Sequence, residues 1–157
     1  MIVVHHTGGT DANPLTDTSN QTFEIIKSWH LKLGWDDIGY HWVIEKNGKT
    51  TPGRKENTNG AHCVGYNTKS IGVCVVGNFD LTLPTKEQEQ ALHKLLNEIT
   101  GRYPVCRDKI YPHRKFANKT CYGKLLSDSW AQEIANGKTE EMVSIPKKLA
   151  VELKKYL

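Results

Sequence analysis

The chain opens Met1-Ile2-Val3-Val4-His5-His6-Thr7-Gly8-Gly9, and the reading of this stretch decides the fold. Ile2, Val3 and Val4 form a short continuous apolar run closed by a Gly pair, the pattern of a strand buried on both faces. Such strands lie in parallel or mixed sheets covered by helices. His5 and His6 stand at the carboxyl end of this strand, where open α/β sheets collect their functional groups. Side chains alternate along a strand, so the two imidazoles point to opposite faces and only one can serve a given site.

The residues after it supply the partners of that strand. Gly8 to Thr18 is polar and rich in Gly, Pro, Asn and Asp, a loop beside the strand's end. Ser19 or Asn20 is expected to cap a helix in which Phe23, Ile26, Trp29 and Leu33 recur at three- and four-residue spacing and form one apolar face. Gly34 ends it. Gly39 to Ile44 is rich in aromatic and β-branched residues and reads as a strand. Asn47-Gly48 signals a hairpin, with a return strand beginning at Lys49-Thr50-Thr51.

Residues 54 to 69 are a long polar loop of the kind that carries function, holding Arg54, His62 and Asn67. Ser70 to Val76 is a second buried strand. Thr85-Lys86-Glu87-Gln88 fits a capping box, opening a helix with Ala91, Leu92, Leu95, Leu96 and Ile99 on one stripe and an end at Gly101. His93 falls off that stripe and is expected in solvent. Another helix is expected near Lys124 to Ala135, then a linker from Lys138 to Ser144 and a short basic helix from Pro146 to Leu157. The expectation is α/β: a central mixed β-sheet flanked by helices, with one domain over 1–137 and a linker and helix over 138–157.

Composition bounds the function. At 157 residues, with 38% hydrophobic and 24% charged residues, the chain suits one soluble globular domain. A net charge of +4 favours an anionic polymer such as a cell wall, and is too small and scattered to indicate nucleic acid. No apolar run approaches the roughly 20 residues of a membrane helix. No basic segment with an apolar stretch and cleavage site opens the chain, so no signal peptide is expected. The four cysteines, at 63, 74, 106 and 121, include no C-x-x-C pair. Cys63, Cys74 and Cys106 read as free thiols, with a Cys63–Cys74 disulfide as the alternative.

The chemistry gathers at His113 to Cys121, H-R-K-F-A-N-K-T-C. An imidazole, cations and a thiol fall within nine residues that lack a helical period, as in a loop that folds back. His and Cys both ligate zinc, and catalytic zinc usually takes three protein ligands and leaves a fourth position for water. A histidine at the end of the first strand would supply the third.

Three stretches together resemble the zinc-dependent N-acetylmuramoyl-L-alanine amidases: V-V-H-H-T, G-Y-H-W-V-I and P-H-R-K-F-A-N-K-T-C. Gly60 to Phe79, with G-A-H-x-x-G-Y-N and S-I-G-V-x-V-V-G-N-F, is a fourth matching block, and the resemblance covers about residues 2 to 135. The family includes small phage lysozymes and the peptidoglycan recognition proteins. The resemblance implies His5, His113 and Cys121 as ligands of Zn2+, Tyr40 beside the metal, and Lys119 as the catalytic lysine. Lys119 and the thiolate at 121 place the chain nearest the phage-like hydrolytic form. Tyr122, where many members have Pro, departs from the pattern and bears on the local loop shape.

The resemblance carries an expected chemistry. Hydrolysing an amide at neutral pH needs a nucleophile and a stabilised oxyanion, and zinc provides both. Lys119 can offer a cation to that oxyanion or assist proton transfer, and Tyr40 can orient the water or bond the carbonyl. Arg54, His62 and Asn67 are candidate contacts to a muropeptide. The expected reaction cuts between N-acetylmuramic acid and L-alanine of the stem peptide, in a monomeric endolysin held in the host cytoplasm until lysis. The alternative is a module that binds peptidoglycan without cutting it. Some phage relatives use such a domain to restrain an RNA polymerase, and nothing in this sequence singles out a surface for that.

Overall fold

A computed structural model describes residues 1–138, so the expected linker after Lys138 and the basic helix lie outside the described residues. In chain order the elements are β1 (Ile2–His6), α1 (Phe23–Lys32), β2 (Trp42–Ile44), β3 (Thr50–Pro52), β4 (Ile71–Val75), α2 (Lys86–Arg102), β5 (Ile110–Pro112) and α3 (Trp130–Ala135), with 3-10 turns at Pro104–Cys106 and His113–Lys115. The five strands form one sheet in the order β3-β2-β4-β1-β5. Among the described residues only the β2–β3 pair is antiparallel. The mixed α/β sheet expected from the buried first strand and the Asn-Gly hairpin is therefore present. Gly48 sits in that hairpin at φ +87°, where a side chain would be strained.

β1 is an interior strand, between β4 and β5, and all five of its residues are buried. One face of the sheet carries α2 and α3 over Ile2, Val4, Ile44, Val73 and Val75, with Leu92, Leu95, Leu96, Ile99, Trp130 and Ile134 filling the layer. The other face carries α1 alone, through Phe23 and Ile26 against Val43, Cys74 and Val76. That cluster includes no residue of β1 or β5, which leaves half of this face for a cleft.

Several local expectations are corrected. Thr22 caps α1, its hydroxyl accepting from Ile25 N at 3.3 Å, in place of Ser19 or Asn20. Trp29 and Leu33 on the expected apolar face are 42% and 68% exposed, because one short helix covers only part of the sheet. The strand expected from Gly39 begins at Trp42. α3 begins at Trp130, not near Lys124, and the segment before it folds through turns, with Lys124 N donating to Asp80 Oδ1 and Leu125 N to Phe79 O. Leu126 O, which would accept from Trp130 N in such a helix, accepts from Arg114 instead, and Trp130 N donates to Ser127 O. His93 is not solvated: its Nδ1 lies 2.7 Å from Ile134 O and ties α2 to the end of α3. All four cysteines are free thiols.

The capping box of α2 is complete, with Thr85 Oγ1 accepting from Gln88 N and Gln88 Oε1 accepting from Thr85 N, both at 3.1 Å. Thr85→Ala is expected to destabilise the domain by about 1 kcal/mol, read as a fall in melting temperature of about 3 °C.

Candidate metal centre and cleft

The candidate side chains meet because the parallel strands β1 and β5 end side by side. His5 stands near the end of β1, His113 directly follows β5, and Cys121 lies in the loop beyond it. One ligand atom from each of these three falls within 4.8 Å of the others, and all three residues lie in the interior of the site. Cys121 Sγ is 3.7 Å from His5 Nδ1, which fixes the ring nitrogen that faces the thiol. The alternation along β1 sorts the two histidines as expected. His6 turns to the other face, accepts from Phe79 N at 3.0 Å through Nδ1, and is structural.

The electrostatics leave these groups ready to take a cation. Burial, followed by the neighbouring His62 and His113 and then by His6 and Lys119, holds His5 well below the usual imidazole range. Burial and the Lys119 ammonium lower His113 in the same direction. Both rings are thereby neutral, with lone pairs free. Burial pushes the Cys121 thiol up to about 12. A buried thiol ionises readily only against a nearby cation, and a bound metal deprotonates its coordinating thiol outright.

The loop carrying Cys121 is held by Arg114, the residue after His113. The Arg114 guanidinium donates to Thr120 O (3.3 Å), Gly123 O (2.8 Å) and Leu126 O (2.6 Å), and pairs with Asp128 at 2.6 Å. Its backbone N–H donates to Cys121 O at 2.6 Å. The guanidinium lies 5.3 Å from the ring of Tyr122, a fully buried residue that also packs on Trp130. Asp80 holds the other side, accepting from Thr120 Oγ1 at 2.8 Å and Lys124 N at 2.7 Å. Tyr122, the departure from the family pattern, anchors this loop through its buried ring and through its hydroxyl, which lies 2.7 Å from Ser127 O and accepts from Ala131 N at 3.3 Å. Arg114 and Asp80 carry no signal by residue type alone, since their roles depend on carbonyls and a hydroxyl that folding brings to them.

The trio sits in a cleft of ≈ 730 Å³ whose wall includes Tyr40, His62, Asn67, Phe116 and Lys119. Tyr40 packs against His5 with ring centroids 5.2 Å apart. Burial, and then the Cys74 and Cys121 sulfurs, push its phenol well above 10, so it stays protonated and acts as a hydrogen-bond donor. Lys119 stands exposed at the rim, close enough to bias both His5 and His113. His62 faces the trio, its Nδ1 2.9 Å from His5 Nε2. Asn67 spends its Oδ1 on the N–H groups of His62 (2.8 Å) and Cys63 (2.9 Å), which fixes the loop. Arg54 is not in the cleft wall: its guanidinium is taken by Ile38 O (2.7 Å), Asn59 O (3.2 Å) and Asp36 (3.0 Å). Of the eight residues singled out in the sequence, the structure thus brings all but Arg54 to one cleft.

Comparison with known proteins agrees with this geometry. The profile of the family described as N-acetylmuramoyl-L-alanine amidase matches residues 1–124. The endolysin of Enterobacteria phage K11 is 39% identical over 101 residues, which cover 61% of this chain and 66% of that protein. Peptidoglycan-recognition protein SC2 of Drosophila melanogaster is 35% identical over 127 residues, 77% of this chain and 66% of its own length. The chain thus spans just under two thirds of the length of these two relatives. Among solved structures, the N-acetylmuramoyl-L-alanine amidase LysC from Clostridium intestinale superimposes with a TM-score of 0.74 at 29% identity, covering 87% of this chain and 84% of that one.

Proposed function

Since this chain belongs to the N-acetylmuramoyl-L-alanine amidase family, we propose that it is a zinc-dependent amidase of endolysin type, cutting bacterial peptidoglycan between N-acetylmuramic acid and L-alanine of the stem peptide. The single observation that carries the metal reading is the His5–His113–Cys121 cluster. Two zinc ligands at about 2.0 Å (His) and 2.3 Å (Cys), set at a tetrahedral angle, lie roughly 3.5 Å apart. The 3.7 Å between Cys121 Sγ and His5 Nδ1 fits that spacing. Two neutral imidazoles and one thiol are also the donor set that zinc prefers over magnesium or calcium.

Zinc held by these residues supplies an activated water at neutral pH and polarises the scissile carbonyl. The chain's own residues do the rest. Tyr40, a phenol that remains protonated, donates a hydrogen bond to the substrate carbonyl oxygen as negative charge develops there. The Lys119 ammonium at the rim adds a cation to the same charge and moves a proton to the leaving amine. Asn67 positions the peptide around His62, and the rings of Tyr40 and Phe116 give the cleft apolar walls against the substrate.

Purified cell wall incubated with the zinc-loaded protein is expected to release new L-alanine amino termini. Wall binding without such release would overturn the amidase reading and leave a recognition module. Tyr40→Phe and Lys119→Met are each expected to lower kcat by about 10²- to 10³-fold, as for loss of one oxyanion donor, while zinc content stays at that of the wild type. Loss of zinc in either variant would place that residue in the metal's coordination instead.

A further inference from the structure

Among the histidines of the cleft wall, His62 has closely constrained surroundings. Its ring is wedged between two glycines. A Cβ on Gly72 would meet His62 Cγ and Cδ2 at 2.5 Å, and one on Gly60 would meet Cδ2 at 2.5 Å. Gly72 lies inside β4 with buried neighbours on both sides, where a glycine weakens the strand and usually marks a close approach. Here the approaching group is the imidazole. The backbone beneath the ring is pinned as well, by the Asn67 amide on the N–H groups of His62 and Cys63.

The ring so held presents Nδ1 to His5 Nε2 at 2.9 Å. The other His5 nitrogen, Nδ1, faces Cys121. Two imidazole nitrogens at hydrogen-bond distance need one proton between them. If His5 Nδ1 gives its lone pair to a metal, the neutral ring must carry its proton on Nε2, and His62 Nδ1 must accept it. His62 then carries its own proton on Nε2, which lies 3.4 Å from Ser70 Oγ, and the Ser70 hydroxyl donates onward to Tyr66 O at 2.7 Å. Every donor in this series finds an acceptor, and it ends on a backbone carbonyl. With the His5 proton on Nδ1 instead, that proton would stand between the ring and the thiol, where a metal would sit.

We propose that His62 is a positioning residue for the metal centre, accepting the His5 Nε2 proton and so holding His5 in the tautomer and orientation that direct Nδ1 at the ion. The inference rests on the zinc reading and deepens it. It also gives His62 a task other than the muropeptide contact expected from its loop. Metal-ligating histidines commonly donate their second N–H to an outer partner, most often a carboxylate or carbonyl, whose loss weakens metal binding by roughly 10- to 100-fold. In this chain the outer partner is a second, neutral imidazole.

The test is zinc affinity measured by competition with a chromogenic chelator on the whole chain. Wild type is expected to bind one zinc, and His62→Ala to bind it roughly 10- to 100-fold more weakly. His62→Asn keeps an acceptor near the place of Nδ1 and is expected to restore affinity to within about 3-fold. His62→Gln, whose amide reaches towards the place of Nε2, is expected to resemble His62→Ala. Nitrogen-15 spectra of the zinc-loaded wild type need no variant, and should show His5 protonated on Nε2 with a slowly exchanging proton. His62→Ala with unchanged zinc affinity and a raised KM would overturn the inference in favour of a substrate contact. A His5 ring metallated through Nε2 would overturn it too. A wild-type protein that takes up no zinc would instead sink the metal reading on which it rests.

Discussion

Cys121→Ala is expected to abolish wall hydrolysis while leaving the fold in place. The substitution removes the only thiol of the trio and leaves two imidazoles, which hold zinc poorly. Loss of an outer partner alone can weaken metal binding by roughly 100-fold, and loss of a ligand should exceed that. Zinc's stabilisation of developing charge is worth several kcal/mol, so activity should fall by at least about 10³-fold. Cys121→Asp offers an oxygen ligand that zinc accepts and is expected to retain metal at reduced affinity. Chelator treatment of the wild type should mimic Cys121→Ala, and added zinc should reverse it. The far-ultraviolet circular dichroism should stay near that of the wild type throughout, because Cys121 alone of the trio belongs to either hydrophobic layer and it is one small side chain at the margin of the larger one. Unfolding on zinc removal would instead identify a structural metal.

Arg114→Ala is expected to have the largest effect on stability of any substitution near the cleft that spares the ligands. The guanidinium satisfies three backbone carbonyls in the loop from Thr120 to Leu126 and covers the Tyr122 ring, and its side chain is only 20% exposed. The Asp128 partner is 82% exposed, so that ion pair contributes little. The part-buried carbonyls of Gly123 and Leu126 carry the effect, since Thr120 O is exposed to water: leaving such acceptors unpaired costs about 1–3 kcal/mol each, and the whole substitution about 3–5 kcal/mol. The melting temperature should fall by roughly 10–15 °C. Zinc affinity should fall with it, since the same loop presents Cys121. Arg114→Lys should recover only a small part of either, because an ammonium cannot span three carbonyls as a planar fork does. A variant that keeps both its melting temperature and its zinc would show that Tyr122 and Asp80 hold the loop without Arg114.

Cys121 and Arg114 mark how far the sequence can be read. The grouping of Cys121 with His5 and His113 is legible because residue types able to hold a metal announce themselves, and an apolar strand ending in His-His gives one of them a place. Arg114 is not, because its partners are main-chain carbonyls, which every residue carries. β5 is equally silent. Its sequence, Ile110-Tyr111-Pro112, is too short to show a period, and it is a strand only because β1 offers it a free edge. The helix expected from Lys124 does not form there because Leu126 O is taken by Arg114 and Trp130 N turns to Ser127 O. His93 and Arg54 show the same limit in opposite directions: the first, expected in solvent, bridges two helices, and the second, expected on a ligand, holds loops together.

By itself, the sequence determined the class of fold, the antiparallel hairpin, the capped helix α2 and the three residues able to share a metal. Each of these is written in local patterns: continuous apolar runs, Asn-Gly, Thr-x-x-Gln, and ligand-type side chains. Only the tertiary structure decided which nitrogen of His5 faces Cys121, why Gly72 interrupts β4, and what holds the loop from Thr120 to Leu126. Those depend on distances between segments far apart in the chain, and a side chain's hydrogen-bonding partner is fixed by where the fold brings another group.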